Sequence, residues 1–115
     1  MFSFLKFNVY EKAKAFNHRV RKFLLNSRID FPTQDQLRRA SLSVQLNIAE
    51  GSGRFTKKDR RRFFIMSRSS IFECISILDT LKEEGSIGDK QFDSFVEDAD
   101  ELSKIIYKMI KNLSI

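Results

Sequence analysis

Apolar side chains return along most of this chain at intervals of three and four residues, the spacing that lays them on one face of an α-helix. Val9, Ala13, Phe16, Val20, Phe23 and Leu24 form a first stripe, with Glu11, Lys12, Lys14, Arg19, Arg21 and Lys22 mostly off it. Leu37, Ala40, Val44 and Ile48 form a second. Phe63, Ser67, Ser70, Ile71, Cys74, Ile77, Leu78 and Leu81 form a third, and Phe92, Val96, Ala99, Leu102, Ile106, Met109 and Leu113 a fourth. The interruptions are short: Ser27 to Gln34 with its Pro32, Gly51-Ser52-Gly53, and Glu84-Gly85-Ser86-Ile87-Gly88. The pattern predicts helices over about 9–26, 34–50, 57–84 and 89–112. Short connections between amphipathic helices imply a single all-α domain, an antiparallel up-down-up-down four-helix bundle.

Local chemistry sets the expected boundaries. Pro32 disfavours helix at Phe31, which makes Thr33 the expected N-cap of the second helix and leaves Phe31 to plug the end of the core. Gly51 and Gly53 are expected to end that helix through left-handed backbone, and Thr56 to cap the third. Serines in the middle of the third stripe point to close approach by another helix, at the level of Asn47 and Glu50. Residues 1–7, MFSFLKF, carry three Phe. They read as an arm packed on the bundle or as an apolar tail for a neighbouring subunit.

At 115 residues the chain supports one core, and 42% apolar with 31% charged residues is a globular balance. No stretch approaches the length of a membrane span. The apolar start is broken by Lys6 and followed by no small-residue cleavage site, so no signal peptide is expected and the predicted location is cytoplasmic. One Cys and one His exclude an internal disulfide and a Cys/His zinc site. Cys74 falls on an apolar stripe, where a thiol is an inert core residue, and His18 falls near the polar side. The spaced Arg and His motif of RNA-cleaving all-α bundles is absent, since no Arg precedes His18. Glu50, Glu73 and Asn47 are too few to make a divalent-metal site. The expectation is a protein that is not an enzyme and takes no cofactor.

Charge changes the picture most. The net +6 is the sum of +11 over residues 1–68 and −5 over residues 69–115. Six of the nine residues from Arg54 to Arg62 are basic (Arg54, Lys57, Lys58, Arg60, Arg61 and Arg62), against the single acid Asp59. They crowd the start of a helix, whose positive dipole end disfavours cations by roughly 0.3–1 kcal/mol each. Like charges at i,i+4, as in Lys57/Arg61 and Lys58/Arg62, add a few tenths. A partner that neutralises the cluster is therefore expected. A nucleic-acid backbone is one candidate, gripped by Arg54, Lys57, Lys58, Arg61 and Arg62 with Arg38 and Arg39 as extensions. Acids of a neighbouring subunit, such as those of the fourth helix, are the other. Phe55 is expected to pack against the core end, with stacking on a base as the alternative. The acids and lysines of the fourth helix follow its dipole and need no further explanation.

Asn47 and Glu50 form a polar pair at the edge of the core, costing about 1–3 kcal/mol for each group left unsatisfied. Ser43, Ser70, Glu73 and the cations Arg38, Arg39 and Arg54 are the available partners. The preferred reading is a structural network that fixes the register of the second and third helices and could continue across a subunit boundary.

Arg38-Arg39-Ala40, Ser43, Asn47-Ile48-Ala49-Glu50-Gly51 and Arg54 together resemble the signature of a four-helix-bundle family, the 23S rRNA intervening-sequence proteins. The accessory variability determinant of diversity-generating retroelements is a relative. Ser70-Ile71-Phe72-Glu73 matches the family's third helix, although Ser69 stands where a Gly is common. The resemblance implies a homo-oligomer, a pentamer around a central channel, in which five copies at +6 would carry about +30. It implies structured RNA as partner on the rRNA branch, and a reverse transcriptase with its template RNA on the retroelement branch. The rival expectation is a scaffold or adaptor that uses its cations in subunit or protein contacts.

Overall fold

The structure, a computed structural model, describes residues 2–113, so Met1 of the N-terminal arm lies outside the described residues. A 3-10 turn at Ser3–Lys6 leads into α1 (Asn8–Leu25), followed by α2 (Phe31–Ser52), α3 (Lys57–Glu83) and α4 (Asp89–Asn112). The described residues contain no strand. Each helix packs on the next, and α4 closes back on α1, giving a body of 44 × 24 × 22 Å. Partner numbers run in opposite senses across every seam. Ser67 meets Val44 while Glu73 meets Gln36; Arg68 meets Tyr107 while Lys82 meets Phe92. All four neighbouring pairs are antiparallel, which is the up-down-up-down bundle.

Phe16, Leu37, Ile48, Ile71, Leu78, Leu81, Phe95, Leu102 and Ile106 make the fully buried centre, with Cys74 among them. Phe95 is the largest fully buried side chain absent from the predicted stripes. It meets Phe16 and Phe23 edge-on at 6.2 and 5.9 Å and lies under the Arg19 guanidinium. The acids of α4 are partly consumed inside the chain: Arg19 pairs with Asp98, and Lys12 with Glu101. This closes the α1–α4 seam with charge as well as with aromatic packing.

Helix α2 begins three residues earlier than predicted. Asp30 is the N-cap, its carboxylate accepting from the Thr33 N–H at 3.1 Å and the Thr33 hydroxyl at 2.8 Å. Pro32 is compatible with this start because the first turn has no internal acceptor for its missing N–H. Thr33 is thus the capped residue and not the cap. Phe31 does not plug the core: it is 69% exposed, and Ile29 fills the end of the bundle instead.

The two glycines of α2 do something other than adopt left-handed backbone. Gly53 ends the helix at φ −91°, and Gly51 lies within it. A Cβ at Gly51 would stand 2.7 Å from a ring carbon of Phe64 and 3.0 Å from Phe63 Cβ, so glycine there permits a close approach of α3 to α2. The left-handed residue is Gly85 at φ +78°, where Ser86 N–H reaches the Leu81 carbonyl at 2.8 Å and closes a Schellman turn.

Candidate nucleic-acid interface

The α2–α3 hairpin carries the site. Along its middle, small residues bring the helices together: the Ser67 hydroxyl donates to the Val44 carbonyl at 2.7 Å, and Ser70 donates to the Ser43 hydroxyl at 2.9 Å. Asn47 Nδ2 donates to the Ser43 carbonyl and hydroxyl, both at 2.9 Å. The polar seam therefore joins Asn47, Ser43 and Ser70. Two residues expected in it lie elsewhere. Glu50 is exposed and pairs with Arg54 at 3.0 Å, while Glu73 is exposed and meets Gln36 Nε2 at 3.5 Å. Carboxylates keep to water at the rim, because burial without a cation is costly, and the neutral hydroxyls take the buried positions.

A second polar network on the α1–α2 seam was not anticipated from the sequence. Gln45 Nε2 donates to the Tyr10 hydroxyl at 2.9 Å, and the buried Ser41 donates to Asn17 Oδ1 at 2.9 Å. The signal was available: Tyr10 and Asn17 are seven residues apart, hence on one face of α1.

At the tip of the hairpin, Thr56 caps α3 by accepting from the Asp59 N–H at 3.1 Å, and Arg60 Nε donates to the Arg54 carbonyl at 2.7 Å. The basic cluster then divides. Arg54 and Arg62 both lie over the Phe63 ring, at 4.4 and 4.5 Å, and are steadied by Glu50 and Asp59 respectively. Arg61 turns toward α4. It lines a recess of about 380 Å³ with Ile65, Arg68, Phe72 and Tyr107, and its Nε is buried there with no hydrogen-bond partner. Arg68 lies over both Phe72 and Tyr107 in the same recess. Lys57 and Lys58 project from the first turn of α3, exposed and without an ion pair among the described residues.

Arg38 and Arg39 are not part of this cluster. From Arg38 to Ser52 the helix rises about 21 Å at ~1.5 Å per residue, and Arg39 is paired with Asp35 at 3.3 Å. Phe55 also departs from expectation. It stands in the turn between Gly53 and Thr56 and is 99% exposed, so it does not pack against the core end.

Six cations against two acids, Glu50 and Asp59, leave residues 50–62 with a surplus of four positive charges. The remaining chemistry is sparse. Cys74 is fully buried, and that burial, with Glu73 adding negative charge nearby, pushes its thiol up to about 12. His18 is exposed on α1. Among the described residues no three His, Cys, Asp or Glu side chains form a group that could hold a metal ion, and no helix is long and apolar enough to cross a membrane.

These features define an antiparallel four-helix bundle with a serine-lined central seam and a basic hairpin tip. Residues 5–108 match the model of the 23S rRNA-intervening sequence protein family, and the chain belongs to that family. It is similar to the crystal structure of a protein of unknown function from the S23 ribosomal protein family of Bacteroides thetaiotaomicron VPI-5482. The TM-score is 0.84 at 25% identity, over 90% of this chain and 98% of that one. No curated protein matches it.

Proposed function

We propose that this protein is a non-enzymatic, oligomeric, cytoplasmic bundle that binds the backbone of structured RNA or DNA through the tip of its α2–α3 hairpin. The observation that carries the reading is the pair Lys57 and Lys58, exposed at a helix N-terminus and in no ion pair among the described residues, the one acid of that turn, Asp59, being paired with Arg62. Their position is electrostatically unfavourable in the isolated chain and becomes favourable against phosphate, where bound cations also release condensed counterions. Arg54 and Arg62, held by Phe63, are arranged to extend that contact, and Arg61 flanks it on the α4 side. No helix is offered in a pattern that reads base edges, so affinity with little sequence specificity is expected.

The test is a salt titration of binding to a structured RNA. Observed affinity should fall steeply with salt, and Lys57→Ala with Lys58→Ala should flatten the slope by about one for each phosphate that the two lysines neutralise. Assembly state is followed by light scattering. Unchanged binding in the double variant overturns the reading.

A second reading has its own observation. Ile65, Phe72 and Tyr107 leave an exposed apolar face along α3 and α4, with Phe72 57% and Tyr107 50% exposed. Such a face suits a sister subunit, or a protein partner of the reverse-transcriptase kind, and makes the chain a scaffold or adaptor. Dissociation to monomers on Phe72→Ala, with RNA binding abolished at the same time, would favour assembly as the primary role.

A further inference from the structure

We infer that the hairpin tip recognises unpaired nucleotides, with Phe55 stacking on a base while Lys57 and Lys58 hold the flanking phosphates; this rests on the nucleic-acid reading above. Three observations converge. Phe55 is 99% exposed. Among the described residues its ring makes no aromatic or cation contact: the nearby guanidiniums of Arg54 and Arg62 are both spent on Phe63. Its π-face is open, and it is flanked in sequence by Arg54 on one side and by Lys57 and Lys58 on the other. Aromatic rings beside cations are the arrangement by which single strands are held, since every base has a face to stack and every nucleotide a phosphate to neutralise.

The ground beside Phe55 has the size and chemistry of a base site. A recess of about 540 Å³ opens there, with Phe2, Phe4 and Phe55 as aromatic walls and Glu50, Arg54 and Asp59 as polar ones. The two carboxylates argue against phosphate inside the recess and place it outside, over the lysines. They are acceptors for the N–H donors of base edges, the N3–H of uracil among them, which a nucleotide exposes when it is unpaired. A duplex keeps its bases stacked and offers this site only its backbone.

The chain contains no Trp, so Phe55→Trp installs a single indole reporter at the proposed stacking position. Binding of an oligouridylate strand, and of its duplex with oligoadenylate, is measured for the unaltered protein and for Phe55→Trp, Phe55→Leu and Phe55→Ala. Assembly state is checked by light scattering. The single strand should bind more tightly than the duplex. Phe55→Ala and Phe55→Leu should lose about 5- to 150-fold of single-strand affinity and little duplex affinity. Phe55→Trp should retain binding and show quenched indole emission. If the Ala and Leu variants hold the single strand as the unaltered protein does, while binding stays salt-dependent, stacking is overturned and the cationic reading stands. If the unaltered protein binds neither nucleic acid at low salt, that reading falls and this inference with it. If Phe55→Leu dissociates the assembly without changing strand affinity per chain, Phe55 serves a protein contact and the inference is overturned.

Discussion

Two parts of one helical hairpin behave in opposite ways. In the middle of α2 and α3, each polar group that enters the seam finds a partner within the chain, and Gly51 lets the backbones close until Phe64 fills the remaining space. At the tip, a few residues further on, Lys57 and Lys58 find no ion pair and Phe55 no ring or cation among the described residues. Folding accounts for the seam without reference to anything else. It does not account for the tip, where like charges crowd the positive end of a helix and an aromatic ring is held in water. The contrast separates residues that make the bundle from residues that the bundle displays, and functional readings belong to the second group.

Substitutions can break or sharpen that contrast. The largest effect is expected in the seam: Ile48→Ala, at a fully buried position, should cost about 2–5 kcal/mol in denaturant unfolding. Next is Gly51→Ala. Overpacking against Phe64 costs about 1–3 kcal/mol, and the better helix propensity of Ala returns about 1 kcal/mol, so a net loss of up to ~2 kcal/mol is expected. Gly53→Ala is the tip counterpart. Its Cβ would meet only backbone carbonyls at 3.6 and 3.9 Å, and its φ is one that Ala adopts, so the unfolding free energy should change by less than ~0.5 kcal/mol. A large loss at Gly53 with none at Gly51 would reverse the assignment of the two glycines.

Smaller still, Lys57→Ala with Lys58→Ala should leave stability within about 0.5 kcal/mol, or raise it slightly by relieving repulsion at the α3 start. A marked destabilisation would mean that the lysines support the fold and would erase the distinction between tip and seam.

The last effect is confined to acid pH. The hydrogen bonds from the Thr33 hydroxyl and N–H hold the Asp30 carboxyl below its ordinary value. Its contribution is therefore present above the unfolded aspartate range, around ~3.9, and is lost as pH falls through the lower folded value. Asp30→Asn should remove that component of the acid slope while keeping a capping oxygen, as read by thermal unfolding from pH 5 downward.

Helix number, their antiparallel order and most of the core were legible because each helix buries one face, and Val9, Ala13, Phe16, Leu37, Val44, Ile48, Ile71, Leu78, Leu102 and Ile106 all declare that face by spacing alone. The start of α2 was misplaced because Pro32 has two meanings, helix breaker or first-turn residue, and only the Asp30 contact selects between them. Phe95 escaped notice beside the stripe of Phe92 and Val96, since a helix with apolar residues at 92, 95 and 96 has more than one admissible face. The basic cluster was visible as composition, but its division was not. Nothing in the order of residues says that Arg54 and Arg62 share Phe63, that Arg61 turns toward α4, or that Glu50 and Glu73 remain at the rim.

By itself, then, the sequence determined the all-α bundle and the concentration of positive charge at one helix start, because amphipathic periodicity and local charge density are properties of neighbours along the chain. Only the tertiary structure decided which polar groups are satisfied and which are left over. That depends on what a second helix brings within hydrogen-bonding distance, a relation between residues as far apart as Ser43 and Ser70. Whether Phe55 finds a covering surface likewise depends on what other elements bring to the turn, and this is why its exposure could not be read from the residues around it.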